Sequence, residues 1–292
     1  MIDVNGLRGD MVISACLRHD LSPIPLTFEG QVRLTQHTAA DYQDGRLIKI
    51  NEIPFRIVKS EPVRNAGGGP QGKEPLSAVS ITAFPDAIVG VAKPRRTAVV
   101  FSTASLSGIY RACGASVPVS GDVSVGRFAC LVGHVPTFGI AQVLQEQSAV
   151  VMWRNGQLQA MNLRALMQQK PVDSVDASTA EDVRSDFLES DEVPLYFSVG
   201  PDGGFVSGNR RNDSQSVAFT PRKAVSTLNF MSRVLVRRKV ITSKANPALR
   251  AGDVLNLSGT PLAVMTAAHF MKNGTDGGGP EQYTRLWLGS ST

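Results

Sequence analysis

Histidine, serine and aspartate are the residues of this chain that could perform nucleophilic catalysis. The chain has four dispersed histidines, His19, His37, His134 and His269. His134 lies near Asp122 and Ser120 in sequence, and a hydroxyl, an imidazole and a carboxylate in contact would form a hydrolase triad. Serines and aspartates are so frequent here that such a set arises easily by chance. We therefore favour structural roles, for His134 in the turn before Pro136 and for His269 at the end of a predicted strand.

Motifs that bind phosphates, metals or cofactors are missing from the sequence. It contains no Gly-x-Gly-x-x-Gly, P-loop, His-Glu-x-x-His, paired Cys-x-x-Cys or Gly-x-Ser-x-Gly. The glycine clusters at 67–69, 203–204 and 277–279 are predicted loop tips, because no helix of phosphate-binding character follows them. We expect no enzymatic activity, no catalytic residues, no metal and no cofactor.

The three cysteines, Cys16, Cys113 and Cys130, are widely spaced and lie in apolar surroundings. An odd number with this spacing favours reduced core residues over disulfides or zinc ligands. The chain is therefore expected to fold in a reducing cytoplasm.

Charge is distributed unevenly along the chain. The net charge is +5, yet residues 173–192 hold eight acidic residues against Arg184 alone. Their spacing does not follow a calcium loop, so we predict a solvated acidic linker in which Ala180–Leu188 could form a helical turn or two. Basic residues elsewhere could track a phosphate backbone, namely Lys93, Arg95, Arg96, Arg210, Arg211, Arg222, Lys223 and those of 231–242. Aromatic residues are not interleaved with them, so single-strand binding is not supported and subunit contacts are favoured.

Composition indicates a turn-rich β protein. The 292 residues include 17 prolines and 27 glycines, with 42% hydrophobic residues and 6% aromatics. This length predicts two domains, or three. The start of the sequence has no basic region followed by an apolar run, and no stretch is apolar for long enough to span a bilayer. We expect neither classical secretion nor membrane insertion.

Residues 1–100 are predicted to form a first small β-barrel. Leu26–Leu34 alternates clearly, with Leu26, Phe28, Gly30, Val32 and Leu34 on one face. Further strands are predicted at 11–17, 47–50, 53–59 and 76–84. The glycine-rich stretch 64–72 between the last two is a predicted loop tip that becomes ordered only against a neighbour.

The period changes after residue 100, and residues 101–172 are predicted to form a small α+β module. Thr103 is the expected cap of a helix that reaches Cys113, Val123–Leu131 a strand, and Pro136–Gln147 a second helix. Ala149–Arg154 and Gln157–Met161 flank Asn155-Gly156, a strong hairpin signal.

Residues 193–292 are predicted to form a second β-barrel. Strands are expected at 194–199, 216–220 and 231–242, and in the last of these Val234, Val236 and Val240 share one face while Arg233, Leu235, Arg237 and Lys239 share the other. The final forty residues contain three alternating runs, 254–258, 262–266 and 283–288, separated by turn residues, which predicts a three-stranded antiparallel unit. In the last run Thr284, Leu286 and Leu288 form a core face, and Tyr283, Arg285 and Trp287 form a contact face.

This C-terminal pattern resembles a known family. A Leu-x-x-Gly-Asp-x-Leu-x-Leu strand at 249–257, a strand ending at His269, a glycine-rich excursion and a closing Tyr-Thr-x-Leu-x-Leu strand at 283–288 resemble the second barrel of baseplate hub proteins of contractile-tailed bacteriophages. The same family supplies the upper part of type VI secretion spikes. The helix before Val-Val-Met-Trp-Arg-Asn-Gly at 150–156 is also similar to the linking domain of that family.

The resemblance implies a mainly β chain with two tube-like barrels and a structural role. It implies a homotrimer whose six barrel positions surround a central channel and adapt a six-fold tail tube to a three-fold spike. The implied partners are the tail tube protein, a tape-measure protein, other baseplate proteins and a separate spike protein, since no spike region follows the last strand here. Genome DNA would meet the chain only in transit through the channel. The implied location is the baseplate of the virion, after synthesis in the bacterial cytoplasm.

Five residues are the expected interface positions of such a trimer, because they lie on predicted non-core faces: Arg233, Arg237, Lys239, Arg285 and Trp287. Two other functions stay open from the sequence. One is a cell-wall hydrolase or a glycan-binding tail component that uses the α+β module, and the other is a basic nucleic-acid-binding protein.

Overall fold

A computed structural model describes residues 2–35, 38–63, 77–182, 194–208, 216–274 and 279–291. Most elements are strands, which confirms the prediction of a mainly β chain with a small α+β portion. Residues 64–76, most of the tip of the 271–282 loop and His37 lie outside the described residues.

The first part of the chain forms five antiparallel strands close to the predicted positions. These are β1 (Val12–Asp20), β2 (Leu26–Leu34), β3 (Leu47–Ile50), β4 (Ile53–Pro62) and β5 (Ser77–Pro85), with single 3₁₀ turns at Gly9–Met11, Ala39–Tyr42 and Val89–Ala92. The predicted apolar face of β2 is buried at every position. Asn51 and Glu52, which join β3 to β4, both have positive φ, as a tight two-residue hairpin turn requires.

The middle of the chain alternates short strands and helices. Its elements are β6 (Val99–Phe101), β7 (Ala104–Ser105), α1 (Leu106–Ala112), β8 (Val119–Ser120), β9 (Ser124–Val125), β10 (Phe128–Cys130), α2 (Pro136–Glu146), β11 (Ala149–Arg154), β12 (Gln157–Asn162) and α3 (Leu163–Met167). The β11–β12 hairpin turns at Asn155-Gly156 as predicted, with positive φ at both residues.

Two details of this middle part differ from the prediction. The side chain of Ser105, not of Thr103, caps α1 by accepting a hydrogen bond from the Gly108 backbone N–H at 3.1 Å. The single strand predicted over Val123–Leu131 is two strands, since β9 pairs with β7 while β10 pairs with β6. Gly126 and Arg127 separate the two pairings.

The predicted acidic linker is structured where it is described. Asp173–Val175 forms β13, Ala177–Thr179 a 3₁₀ turn and Ala180–Asp182 forms β14. Ala180–Asp182 is therefore a strand and not the helical turn that its composition suggested. Residues 183–193 lie outside the described residues, and the domain boundaries drawn from the sequence stay a prediction.

The last part of the chain adds seven strands and a helix: β15 (Leu195–Val199), β16 (Phe205–Ser207), β17 (Val217–Phe219), α4 (Val225–Met231), β18 (Leu235–Lys244), β19 (Val254–Leu257), β20 (Thr260–Lys272) and β21 (Glu281–Ser291). The predicted three-stranded antiparallel unit is confirmed as β19–β20–β21. Helix α4 was not predicted, and it ends at Met231, the residue at which the sequence predicted a strand to begin.

One large sheet joins the first and last parts of the chain. Its strands follow the order β14-β18-β21-β20-β1-β2-β5-β4-β3, and β19 and β13 continue it from β20. Strands β1 and β20 pair antiparallel from Ser14–Lys272 to Asp20–Thr266, so the two β regions are hydrogen-bonded to each other directly. The largest apolar cluster lies on one side of this sheet, against α1, α2 and the β11–β12 hairpin. A smaller cluster packs Ala263 of β20 against Leu163 and Leu166 of α3.

Candidate functional site

The Gly-Asp turn before β19 fastens the middle part of the chain to the last part. Arg154, at the end of β11, donates from Nη2 to the Ala251 carbonyl oxygen at 2.9 Å and to Oδ1 of Asp253 at 2.7 Å. Oδ2 of Asp253 accepts from the Arg250 backbone N–H at 2.7 Å. Burial lowers the pKa of Arg154, and the Asp253 carboxylate opposes this by stabilising the charged form.

The backbone conformation at position 252 requires glycine in this turn. Its φ is +88°, a conformation that L side chains rarely adopt, and a Cβ there would collide with the sulphur of Met152 on β11. The Leu-x-x-Gly-Asp motif therefore connects the β11–β12 hairpin to the start of β19 through these contacts.

The face of the large sheet opposite the largest apolar cluster carries polar side chains on six of its strands, together with Phe270 and Trp287. Successive strands place Thr242 and Lys244, Tyr283 and Arg285, Arg18 and Asp20, Glu29 and Gln31, Ser80 and Thr82, and Lys59 and Glu61 on this face. We call it the polar face. Arg18 donates to Asp20 at 2.7 Å, and Thr266 Oγ1 donates to the other oxygen of that carboxylate at 2.7 Å, so its charges are partly neutralised within the chain.

Three of the five expected interface residues lie together at one end of the polar face. The Arg285 guanidinium stacks 5.3 Å from the centre of the Trp287 ring, and Trp287 lines a groove together with Arg237 and Asp20. The side chains of Arg285 and Trp287 are half-buried, and Nε of Arg285 has no hydrogen-bond partner within the described residues.

The other two expected interface residues are placed differently. Lys239 was predicted to share a face with Arg237, but a bulge between them sets Arg237 opposite Gly289 and Lys239 opposite Leu288, which puts the two side chains on opposite faces. Nζ of Lys239 lies 2.6 Å from an Asp182 oxygen on β14. Arg233 lies before β18, over the ring of Phe230.

An exposed apolar face on the small β16-β15-β17 sheet was missed in the sequence. The strand register places on one side six apolar residues, Leu195, Phe197, Val199, Phe205, Val217 and Phe219. Phe205 is 80% exposed and Phe219 53% exposed, and both rings contact Phe197. We call this surface the apolar face. The sequence predicted a strand at 194–199. The pattern of so short a strand does not reveal which of its sides a neighbouring element leaves open.

The candidate hydrolase triad is not assembled. Asp122 accepts from the Ser107 hydroxyl at 2.6 Å and from the Ser107 backbone N–H at 3.0 Å, and Ser120 donates to the Leu158 carbonyl. The His134 backbone N–H donates to Leu131 O, and its carbonyl accepts from Arg95 N–H. Within the described residues, no hydrogen bond joins the His134 side chain to Asp122 or Ser120.

The basic residues do not form one phosphate-binding track. Lys223 pairs with the buried Glu146 at 2.6 Å, and Nη1 of Arg95 donates to the Cys113 carbonyl. Arg210 and Arg211 lie outside the described residues. No group of three or more metal-ligating side chains occurs in the parts of the chain that the structure describes. In the same parts, no helix is long and apolar enough to cross a membrane.

A cavity of about 330 Å³ lies on the core side of the junction between β1 and β20. We call it the junction cavity. His19 from β1 and His269 from β20 both line it, with ring centres 5.7 Å apart. His269 Nδ1 lies 3.0 Å from the Thr284 hydroxyl, whereas His269 Nε2 and His19 Nδ1 have no hydrogen-bond partner among the described residues.

The environment of these two imidazoles favours their neutral forms. Burial first, and then the nearby His269, Arg250 and Arg154, together lower the pKa of His19 to about 3. Burial also lowers the pKa of His269, and Arg250 adds to the lowering, whereas the nearby Leu249 backbone acts in the opposite direction. This pairing could not be predicted from the sequence, because the two residues are far apart in the chain.

No family model and no curated protein matches this chain. Solved structures do match it in fold. A tail protein from Neisseria meningitidis superposes with a TM-score of 0.63 at 9% identity, covering 99% of this chain and 96% of its own. A 43 kDa tail protein of prophage MuSo2 from Shewanella oneidensis gives 0.61 at 10% identity, covering 98% and 96%.

A third match is a type VI secretion component of E. coli, described as structurally similar to the T4 tail proteins gp27 and gp5. It superposes with a TM-score of 0.56 at 8% identity, covering 99% of this chain and 76% of its own. At these identities the matches establish the fold alone. The resemblance drawn from the C-terminal motif is thus confirmed as one of fold over nearly the whole chain.

Proposed function

We propose that this chain is a structural virion protein, the homotrimeric baseplate hub that joins a six-fold tail tube to a three-fold spike around a central channel. The observation that carries the proposal is the large sheet, in which the strands of the first and last parts of the chain lie side by side through β1 and β20. The first and last parts of each chain contribute one set of strands each, so a ring of three chains contains six sets. Such a ring could contact a six-fold tube on one side and a three-fold spike on the other.

The two faces of this sheet support a channel wall. One face is buried in the core, and the other is the polar face, which carries charges of both signs. A wall that contacts water needs such a polar surface. A mixed surface with internal ion pairs such as Arg18–Asp20 would also let DNA pass without binding it tightly.

The apolar face supports association with a neighbouring copy. Six apolar side chains on one side of a three-stranded sheet are a surface that soluble monomers rarely leave open. A second contact surface of mixed polarity is proposed for Arg237, Arg285 and Trp287. Arg233 and Lys239 remain proposed interface residues. Tube, spike and tape-measure proteins are the proposed further partners, at the baseplate of the virion.

The matched structures add support, since they are described as phage tail proteins and a type VI secretion component. The alternative as a cell-wall hydrolase has no assembled triad behind it, because Asp122 is engaged with Ser107. Nucleic-acid binding has no continuous basic surface in the described residues.

Sedimentation velocity of purified chain tests the proposal with Phe205→Ser. A phenylalanine that becomes buried at an interface contributes about 2 kcal/mol, so its removal should weaken each contact between chains about 30-fold. We expect trimers for the wild type and mainly monomers for the variant, with unchanged circular dichroism. Val172→Ser is the matched control, because Val172 is also exposed, at 59%, but lies away from the apolar face. Equal trimer content in Phe205→Ser and wild type would contradict the role of this face.

A further inference from the structure

The junction cavity has the composition of a small-molecule site. Its walls come from the N-terminal segment, the β3–β4 turn, the β11–β12 turn, the loop before β19 and the paired strands β1 and β20. Apolar groups, among them Leu17, Ile53, Trp153 and Met271, supply much of the lining. Its volume, about 330 Å³, is at the lower end of the range for sites that hold small ligands.

The polar groups in this cavity are all compatible with an anion. Arg250 is the one charged residue of the lining, and none of the lining residues is Asp or Glu. Within the described residues the Arg250 side chain has no ion pair, because Asp253 contacts its backbone N–H and pairs with Arg154 instead. A guanidinium that lines a partly apolar cavity without a carboxylate favours a negatively charged ligand.

The two histidines also favour a ligand that can form hydrogen bonds in this cavity. His19 and His269 are 6% and 7% exposed, and each holds a buried ring nitrogen that has no hydrogen-bond partner in the described residues. Unpaired buried polar atoms are unfavourable, so a native structure that keeps two of them beside one cavity indicates a missing partner. A carboxylate accepts from a nitrogen that carries the ring proton, and a carboxylic acid donates to one that does not.

A metal ion fits this cavity less well than an anion. Two imidazoles are the only metal-ligating side chains in its lining, and the described residues contain no group of three. Arg250 would also repel a cation.

We propose that the junction cavity binds a small carboxylate with an apolar body, its carboxylate between Arg250 and the His19–His269 pair and its body against Trp153 and Met271. The carboxylate belongs either to a free organic acid or to the C-terminus of a peptide. Because the walls come from the first, middle and last parts of the chain, occupancy would hold these parts together.

Calorimetric titration of the full chain with benzoate and with benzamide tests the proposal. Benzoate should bind saturably, on the order of 1 mM, and benzamide at least tenfold more weakly, because it lacks the charge that pairs with Arg250. Arg250→Gln should lower benzoate affinity at least tenfold. Arg164→Gln, an exposed arginine outside the lining, should leave it unchanged.

Two further ligands separate the sources of the carboxylate. The tripeptide Gly-Gly-Phe and its C-terminal amide compare a peptide terminus with a free acid. Displacement of benzoate by the tripeptide but not by its amide would assign the site to a chain terminus, and no displacement by either would assign it to a free acid. Absence of saturable benzoate binding, equal binding of benzamide, or unchanged affinity in Arg250→Gln would overturn the proposal and leave a cavity that holds only water.

Discussion

The buried His19 should make the stability of this protein fall as the solution becomes acidic. Its pKa is lowered to about 3 in the folded chain, whereas an unfolded histidine titrates near 6.5. Below about pH 6.5 the unfolded chain therefore takes up a proton that the folded chain does not. Stability from neutral His19 is fully present above that pH and is lost progressively as the pH falls toward about 3.

The size of the effect follows from the same two pKa values. Lowering the pH from about 7 to about 5 should cost about 2 kcal/mol at His19 alone. A nearby carboxylate would stabilise protonated His19 and reduce this loss. The groups that affect its pKa are instead His269, Arg250 and Arg154, none of which is acidic. His269 adds a loss in the same direction, because its pKa is also lowered.

Urea unfolding of wild type and His19→Leu at about pH 7 and about pH 5 measures this. The difference in unfolding free energy between variant and wild type should move by about 2 kcal/mol in favour of the variant at the lower pH, because the titrations of groups distant from His19 are the same in both proteins. His134→Leu is the matched control, because it makes the same substitution at an exposed position outside the junction cavity. A difference for His19→Leu that is the same at both pH values would refute the reasoning.

Three other perturbations have defined outcomes. Asp253→Asn should lower the unfolding free energy by about 2 kcal/mol, because it leaves the partly buried Arg154 charge without its carboxylate. A loss below about 1 kcal/mol in urea unfolding would show that this ion pair is not important for stability. Trp287→Ala should reduce trimer content in sedimentation while circular dichroism stays unchanged, and an unaltered trimer would remove Trp287 from the interface. Cys113, whose pKa burial raises to about 11, should react with iodoacetamide only after unfolding, so labelling of native chain at that residue, read by mass spectrometry, would contradict its packing.

Alternation and turn chemistry predicted the strands of the large sheet well. Leu26–Leu34 and 283–288 both bury the faces that their patterns indicated, because period-two alternation reports directly on a sheet with one dry side. Asn155-Gly156 likewise fixed a hairpin, since few residue pairs accept positive φ twice.

Features that depend on tertiary contacts were not predictable. The bulge at Arg238 reverses the face of Lys239, and only the register against β21 reveals it. The acidic residues 180–182 were predicted to belong to a linker with a helical turn, but they form β14, because they pair with β18 and Asp182 forms an ion pair with Lys239. The candidate sites depend on the same kind of contact, because the junction cavity brings His19 next to His269 from the opposite end of the chain.

Electron microscopy of the purified chain would show whether it assembles into the proposed hub. We expect particles with three-fold symmetry, six similar lobes and an open channel whose wall is the polar face. Compact monomers at every concentration, or a ring of another symmetry, would contradict this proposal.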